Sequence, residues 1–175
     1  METEPVGERI ERALRVLVGL PLRYLGRAAD MAWLGFGDMV EVPKRTGGTR
    51  MVARHALHLQ CAFRLAGPTG AIAAAHDMYY SSENPGHEPD DFEWDHPGAN
   101  WYDRRVAEFM AALAANPLVV ERVEGDEFGG FRLWLSGGHT LAVFPATSFR
   151  QEHWRYLQPG SKEDHFAVFD DSVSG

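Results

Sequence analysis

The chemistry this chain could perform rests on eight histidines, twenty-five acidic residues and one cysteine. His76 and Asp77 are adjacent, near Tyr79 and Tyr80 and just before an acidic stretch. A histidine beside a carboxylate at a strand end suits general acid–base work, with Tyr79 as a third polar group. The competing structural reading is a turn aspartate beside a hydrogen-bonded histidine. His55 and His58 are three apart on a predicted strand, so they face opposite sides and cannot chelate together. Glu152-His153-Trp154-Arg155, with His165 further on, reads as structural: Glu152 pairs with Arg155 at helical i,i+3 spacing, and Trp154 covers the sheet. Cys61 alone forms no intrachain disulfide and no cysteine zinc site. Its parity with Leu59 and Phe63 predicts a buried small hydrophobe, whereas a catalytic thiolate needs an electropositive, partly open setting.

A second constellation is acidic. Glu83, Glu88, Asp90, Asp91, Glu93 and Asp95 crowd thirteen positions, interleaved with Phe92 and Trp94. Residues 83–103 hold seven acids and neither Lys nor Arg, so this one segment carries nearly all of the net charge of −8. Clustered carboxylates suit Ca²⁺ or Mg²⁺, but the glycine and glutamate of an EF-hand loop are out of register here. The other readings are a solvated loop and a protein-binding surface. Of the functional ones, the surface is preferred: aromatic anchors supply desolvated contact, and fixed acids steer a basic partner. The expected partner-binding residues are Asp90, Asp91, Phe92, Glu93, Trp94 and Asp95; the alternative pocket is His76, Asp77 and Tyr79. No metal site and no cofactor are expected. Neither HExxH, GxSxG nor a phosphate loop occurs, and Gly47-Gly48, Gly129-Gly130 and Gly137-Gly138 read as turns.

These residues need elements to hold them. Val6, Ile10, Leu14 and Leu17 predict a helix over about 5–18, with Glu8–Arg12 and Glu11–Arg15 as supporting pairs. Residues 29–36 predict a buried strand, and Pro43 demotes 39–45 to an edge. Thr46-Gly47-Gly48-Thr49 predicts a hairpin turn leading into one strand over 51–65, followed by a third strand over 71–80. After the loop at 81–99, Asn100 with Asp103 marks the start of a second helix. Tyr102, Val106, Phe109, Met110 and Leu113 form its buried stripe, and Asn116-Pro117 ends it. Strands are predicted at about 118–124, 130–136, 139–145 and 165–169. Ser148-x-x-Gln151 predicts a capping box and a short helix to about Leu157.

Hairpin turns dominate and long crossovers are few, which predicts an α+β fold: one mostly antiparallel sheet with two main helices and one short helix packed on it. The 175 residues are 45% hydrophobic and form a single expected domain, frayed at about 1–4 and 171–175. Acidity disfavours nucleic acid. No run approaches a membrane span, and the charged first helix lacks a signal-peptide pattern, so a cytoplasmic protein is expected. With two lysines among seventeen basic residues, and many Ala and Gly, the composition suggests a GC-rich bacterial genome. The oligomeric state is left open.

Leu20-Pro21-Leu22, Gly26 to Met31, Trp33-Leu34 and Phe36-Gly37, followed by Ala56 to Cys61 with Arg64, then Trp154-Arg155 and His165-Phe166, resemble a family of small bacterial proteins with no assigned function. That resemblance spans most of the chain and implies no activity, cofactor or catalytic residue. The overall layout is similar to immunity-type proteins that neutralise bacterial toxins. The expected function is a non-enzymatic interaction module, immunity-type or regulatory, that uses the acidic aromatic loop against a basic protein. The alternative is a small enzyme or ligand-binding domain around His76 and Asp77.

Overall fold

The computed structural model describes residues 4–86, 92–169 and 172–175. Helix α1 (Val6–Leu14) buries Ile10 and Leu14 and tightens into a 3₁₀ turn over Arg15–Leu17. The two expected ion pairs on it are replaced. Arg12 takes Glu4, and Glu11 accepts the backbone N–H of Gly125 at 3.1 Å. Strands β1 (Leu22–Ala28), β2 (Met31–Pro43) and β3 (Thr49–Leu59) form an antiparallel meander. They are followed by β4 (Ala62–Gly67) and β5 (Gly70–Ala74), a 3₁₀ turn over Ala75–Tyr79, and α2 (Trp101–Ala115). The remaining strands are β6 (Val120–Gly125), β7 (Phe131–Leu135), β8 (His139–Phe144), β9 (Glu152–Leu157), β10 (Phe166–Phe169) and β11 (Val173–Ser174).

The antiparallel α+β character is as expected, but there are two sheets rather than one. Their strand orders are β1-β2-β3-β9-β10-β11 and β5-β4-β8-β7-β6. The strand expected over 51–65 breaks at Gln60-Cys61, where the chain leaves the first sheet for the second. Parity survives the break: Leu57, Leu59, Phe63 and Leu65 are all buried in one shared core. At the other side the sheets are laced together by backbone bonds from Leu22 to Leu118 and from Gly19 to Val120. Helix α1 packs on β6, and α2 packs across β5 and β1.

Two further expectations are corrected. The short helix after Ser148 is strand β9, because its residues are claimed by β3 on one side and β10 on the other. Gln151 donates to the Thr147 hydroxyl at 2.8 Å. A bulge at His153, between the pairings Trp154↔Val168 and Glu152↔Phe169, brings Glu152 and Arg155 to the same face. The ion pair expected from helical spacing therefore forms on a strand, at 2.5 Å. The third strand stops at Ala74, and His76 and Asp77 lie in the 3₁₀ turn beyond it. Val173–Ser174 pairs with β10 where fraying was expected. No helix among the described residues is long and apolar enough to cross a membrane.

Candidate interaction surface

The acidic loop is clipped at both ends by the strand-end turn and α2. Ser82 N–H bonds to Ala99, and Trp101 N–H bonds to Tyr80 at 2.7 Å. Asn100, fully buried, is the N-cap of α2: its Oδ1 accepts from Asp103 N–H and its Nδ2 donates to the Trp94 carbonyl, both at 2.8 Å. Sequence reading identifies this cap. The Asp103 carboxylate, however, does not reach back to close a capping box; it accepts from Gly98 N–H at 2.8 Å and from Arg27.

Arg27 on β1 organises the segment. Its side chain, 7% exposed, grips Asp103 with two parallel bonds of 2.7 and 2.8 Å. A third nitrogen donates to Asp95 at 2.7 Å and to the Ala29 carbonyl at 3.0 Å. The guanidinium also lies 5.9 Å from the Trp94 ring centre. Burial acts to raise the Asp103 carboxyl, but the Arg27 hydrogen bonds and charge, with the Gly98 N–H, outweigh it, and its pKa lies below the ordinary range. Nothing local marks Arg27 in the sequence, because its two carboxylate partners are 68 and 76 positions away.

The two groups of candidate residues meet in space. His76 stands edge-on to Tyr79 with centroids 5.9 Å apart, and Tyr79 is tilted against Trp94 at 5.1 Å. Tyr79 is exposed, and Trp94 is half-buried against the core. Partial burial and the negative charge of the nearby Asp30 carboxylate push the Tyr79 hydroxyl pKa up. Glu93 is exposed, Phe92 is half-buried, and Asp95 is engaged by Arg27. Asp90 and Asp91 lie outside the described residues. The surface is thus an aromatic row of His76, Tyr79 and Trp94, edged by Asp30 and Glu93.

Asp77 turns inward to its own backbone, accepting the Ala74 N–H at 2.7 Å and closing the 3₁₀ turn. Burial pushes its carboxyl pKa up, against opposing contributions from Ala74 N–H, Arg105 and His76. Two open clefts flank the loop, one of about 460 Å³ over residues 93–97 and one of about 300 Å³ around Arg27, Asp95 and Asp103. His76 and Asp77 line neither. Among the described residues no three His, Cys, Asp or Glu side chains converge as a metal site would require.

His55 and His58 lie on opposite faces of β3. His55 points inward, bonds the Tyr156 hydroxyl at 2.8 Å, and is held below its usual pKa by burial and by Arg54. His58 lies on the opposite face across from Arg155, with its pKa lowered by burial, Arg155 and His165. Cys61 is half-buried against the core, and desolvation pushes its thiol up to about 12. Compared with protein-family models, with curated proteins and with solved structures, the chain matches none of them.

Proposed function

We propose that this protein is a non-enzymatic interaction module whose acidic aromatic surface receives a basic protein, in its most concrete form as an immunity-type or regulatory partner. The observation that carries this reading is the row His76–Tyr79–Trp94, edged by Asp30 and Glu93 and fixed by the Arg27–Asp103–Asp95 node. A surface held rigid before contact loses little entropy on binding. An exposed tyrosine among carboxylates suits a lysine or arginine side chain, through cation–π attraction on the ring and charge at the rim. The alternative of a small enzyme at His76 and Asp77 draws its support from the raised Asp77 carboxyl. That carboxylate is already committed to the Ala74 N–H, which favours the interaction reading.

The test starts from a partner captured from the native host and identified by mass spectrometry. Association is then timed at low and high salt with wild type, with Tyr79→Ser, and with Asp90→Asn/Asp91→Asn. The reading expects the charge variant to associate roughly tenfold more slowly at low salt and to converge with wild type at high salt. Tyr79→Ser should act chiefly on dissociation. A melting temperature that rises by several degrees with Ca²⁺ or Mg²⁺, and no longer does so in the double variant, would replace this reading with a metal site.

A further inference from the structure

The second sheet buries one face and turns the other to solvent. Along β4, β7 and β8 the residues Phe63, Leu65, Leu133, Leu141 and Val143 point into the core. The alternate residues point away from it. Register sets these in rows across the strands: Arg64, Ala142, Arg132 and Glu124 form one row, and Thr140, Trp134 and Arg122 the next. Arg64, Arg122 and Arg132 are all exposed. The chain has a net charge of −8, yet these two rows set three guanidiniums against one carboxylate.

The three cations are not equally engaged. The Arg122 guanidinium lies 3.5 Å from the Trp134 ring centre and 3.3 Å from the Glu124 carboxylate. Arg64 and Arg132 have no ion pair among the described residues, and Arg132 stands 5.6 Å from the Trp134 ring centre. Ala142 lies between the two, so they stand two strand spacings apart, about 10 Å at the backbone, over a floor without bulk. Beside Arg132 the face is hollowed into a groove of about 400 Å³, walled by Trp134, Ala142 and the exposed Phe144. Two carboxylates border this groove, and both are engaged. Glu124 meets Arg122, and Asp126 accepts the N–H groups of Phe128 and Gly130 at 2.8 and 2.9 Å. The charges left without a partner are therefore both positive.

We propose that this sheet face binds an extended acidic segment of a partner protein, with carboxylates on Arg64 and Arg132 and an apolar side chain in the groove against Phe144. In an extended segment, side chains two or three positions apart are separated by about 7–10 Å, which matches the two guanidiniums. The planar fork of arginine takes a carboxylate with two parallel bonds. The site shares no residue with the Tyr79–Trp94 surface and does not depend on the function proposed for it. Single-stranded nucleic acid is a poorer occupant. Its bases need successive open rings, and Arg122 already lies over Trp134. The net charge of −8 also opposes a long polyanion. The acidic loop of a second copy is a poorer source of carboxylates, because Arg27 already holds Asp95 and Asp103.

Fluorescence anisotropy on the full chain tests this, with a fluorescein-labelled short peptide of alternating glutamate and serine around one phenylalanine. A dissociation constant of about 10–100 μM at low salt is expected. Arg64→Gln with Arg132→Gln should weaken binding roughly tenfold or more, and Arg132→Lys should weaken it less. Arg45→Gln removes an exposed charge from the β2–β3 turn and should leave binding unchanged. All of these variants should melt at the wild-type temperature, because the side chains they replace are exposed. No binding at low salt would overturn the proposal, as would equal losses in Arg45→Gln and in the double variant. Tighter binding of an oligouridylate of similar length, lost in the double variant, would overturn it in favour of nucleic acid. Self-association in sedimentation velocity that the double variant abolishes would replace the partner with a second copy.

Discussion

Replacing Arg27 with methionine isolates the role of the guanidinium, because the flexible apolar chain still fills the space of the arginine stem. The change removes two bonds to Asp103, whose side chain is 18% exposed, one to the Asp95 carboxylate, which is 60% exposed, and the bond to the Ala29 carbonyl. Breaking a fully buried pair costs about 3–5 kcal/mol, while a pair as open as Arg27–Asp95 contributes about 0–1 kcal/mol. The Asp103 arm is partly open to water, so the expected total is about 2–4 kcal/mol, or roughly 6–12 °C in melting temperature for a chain of this size. Arg27→Lys keeps the charge but loses the two-pronged geometry, and should fall between. The pH dependence has a definite sign. The folded pKa of Asp103 is depressed, so its stabilisation is present above the unfolded value and is lost as pH falls through the folded one. In Arg27→Met only burial and the Gly98 N–H remain as large influences, and the depression should disappear. The gap between the two proteins should therefore be widest near neutrality and should narrow as pH falls below the ordinary aspartate range. Urea titrations at several pH values measure this. A loss under about 0.5 kcal/mol at pH 7, or a gap that persists unchanged into acid, would refute the reasoning.

Asn100→Ala removes the helix cap and leaves the Trp94 carbonyl without its donor; a loss of about 1–3 kcal/mol is expected in chemical denaturation, and Asn100→Asp should recover the cap but not the Trp94 bond. Cys61, with its thiol pushed up to about 12, should react slowly with a maleimide in the native protein at pH 8 and rapidly in urea. Fast native labelling would show that the pocket around the sulfur opens.

Sequence periodicity was informative wherever it reflected burial on one side. Helix α2 announced itself through Asn100 and the stripe from Tyr102 to Leu113, all of which are buried apart from the half-buried Met110. It was uninformative where both sheets share a core: the alternation from Leu57 to Leu65 runs unbroken through the corner at Gln60, so nothing in the pattern marks a change of sheet. Strand β1 was not predicted, and it carries Gly26 in its interior. In the fold its missing side chain makes room for the Trp33 ring, which a Cβ would meet at 2.4 Å. Segment 152–157 was misread because the capping signal at Ser148 is local, while the two strands that recruit β9 are distant. The acids and aromatics of the candidate surface were legible by composition. Their convergence was not, since it depends on Arg27 and on a turn at Ala75–Tyr79 that extends no strand.

The position of β9 between β3 and β10 also shapes how the chain is made. Gln60 and Glu152, which meet at the end of that pairing, are 92 positions apart. At about 5–20 residues per second, a ribosome needs roughly 5–18 s to deliver the second after the first. Throughout that interval the β3 side destined for β9 carries unpaired backbone donors and acceptors next to Ala56, Leu57 and Leu59. The nascent protein therefore passes through a period in which its central sheet is open along an apolar edge. Slower synthesis lengthens that exposure, and a chaperone that shields extended apolar segments shortens its consequences.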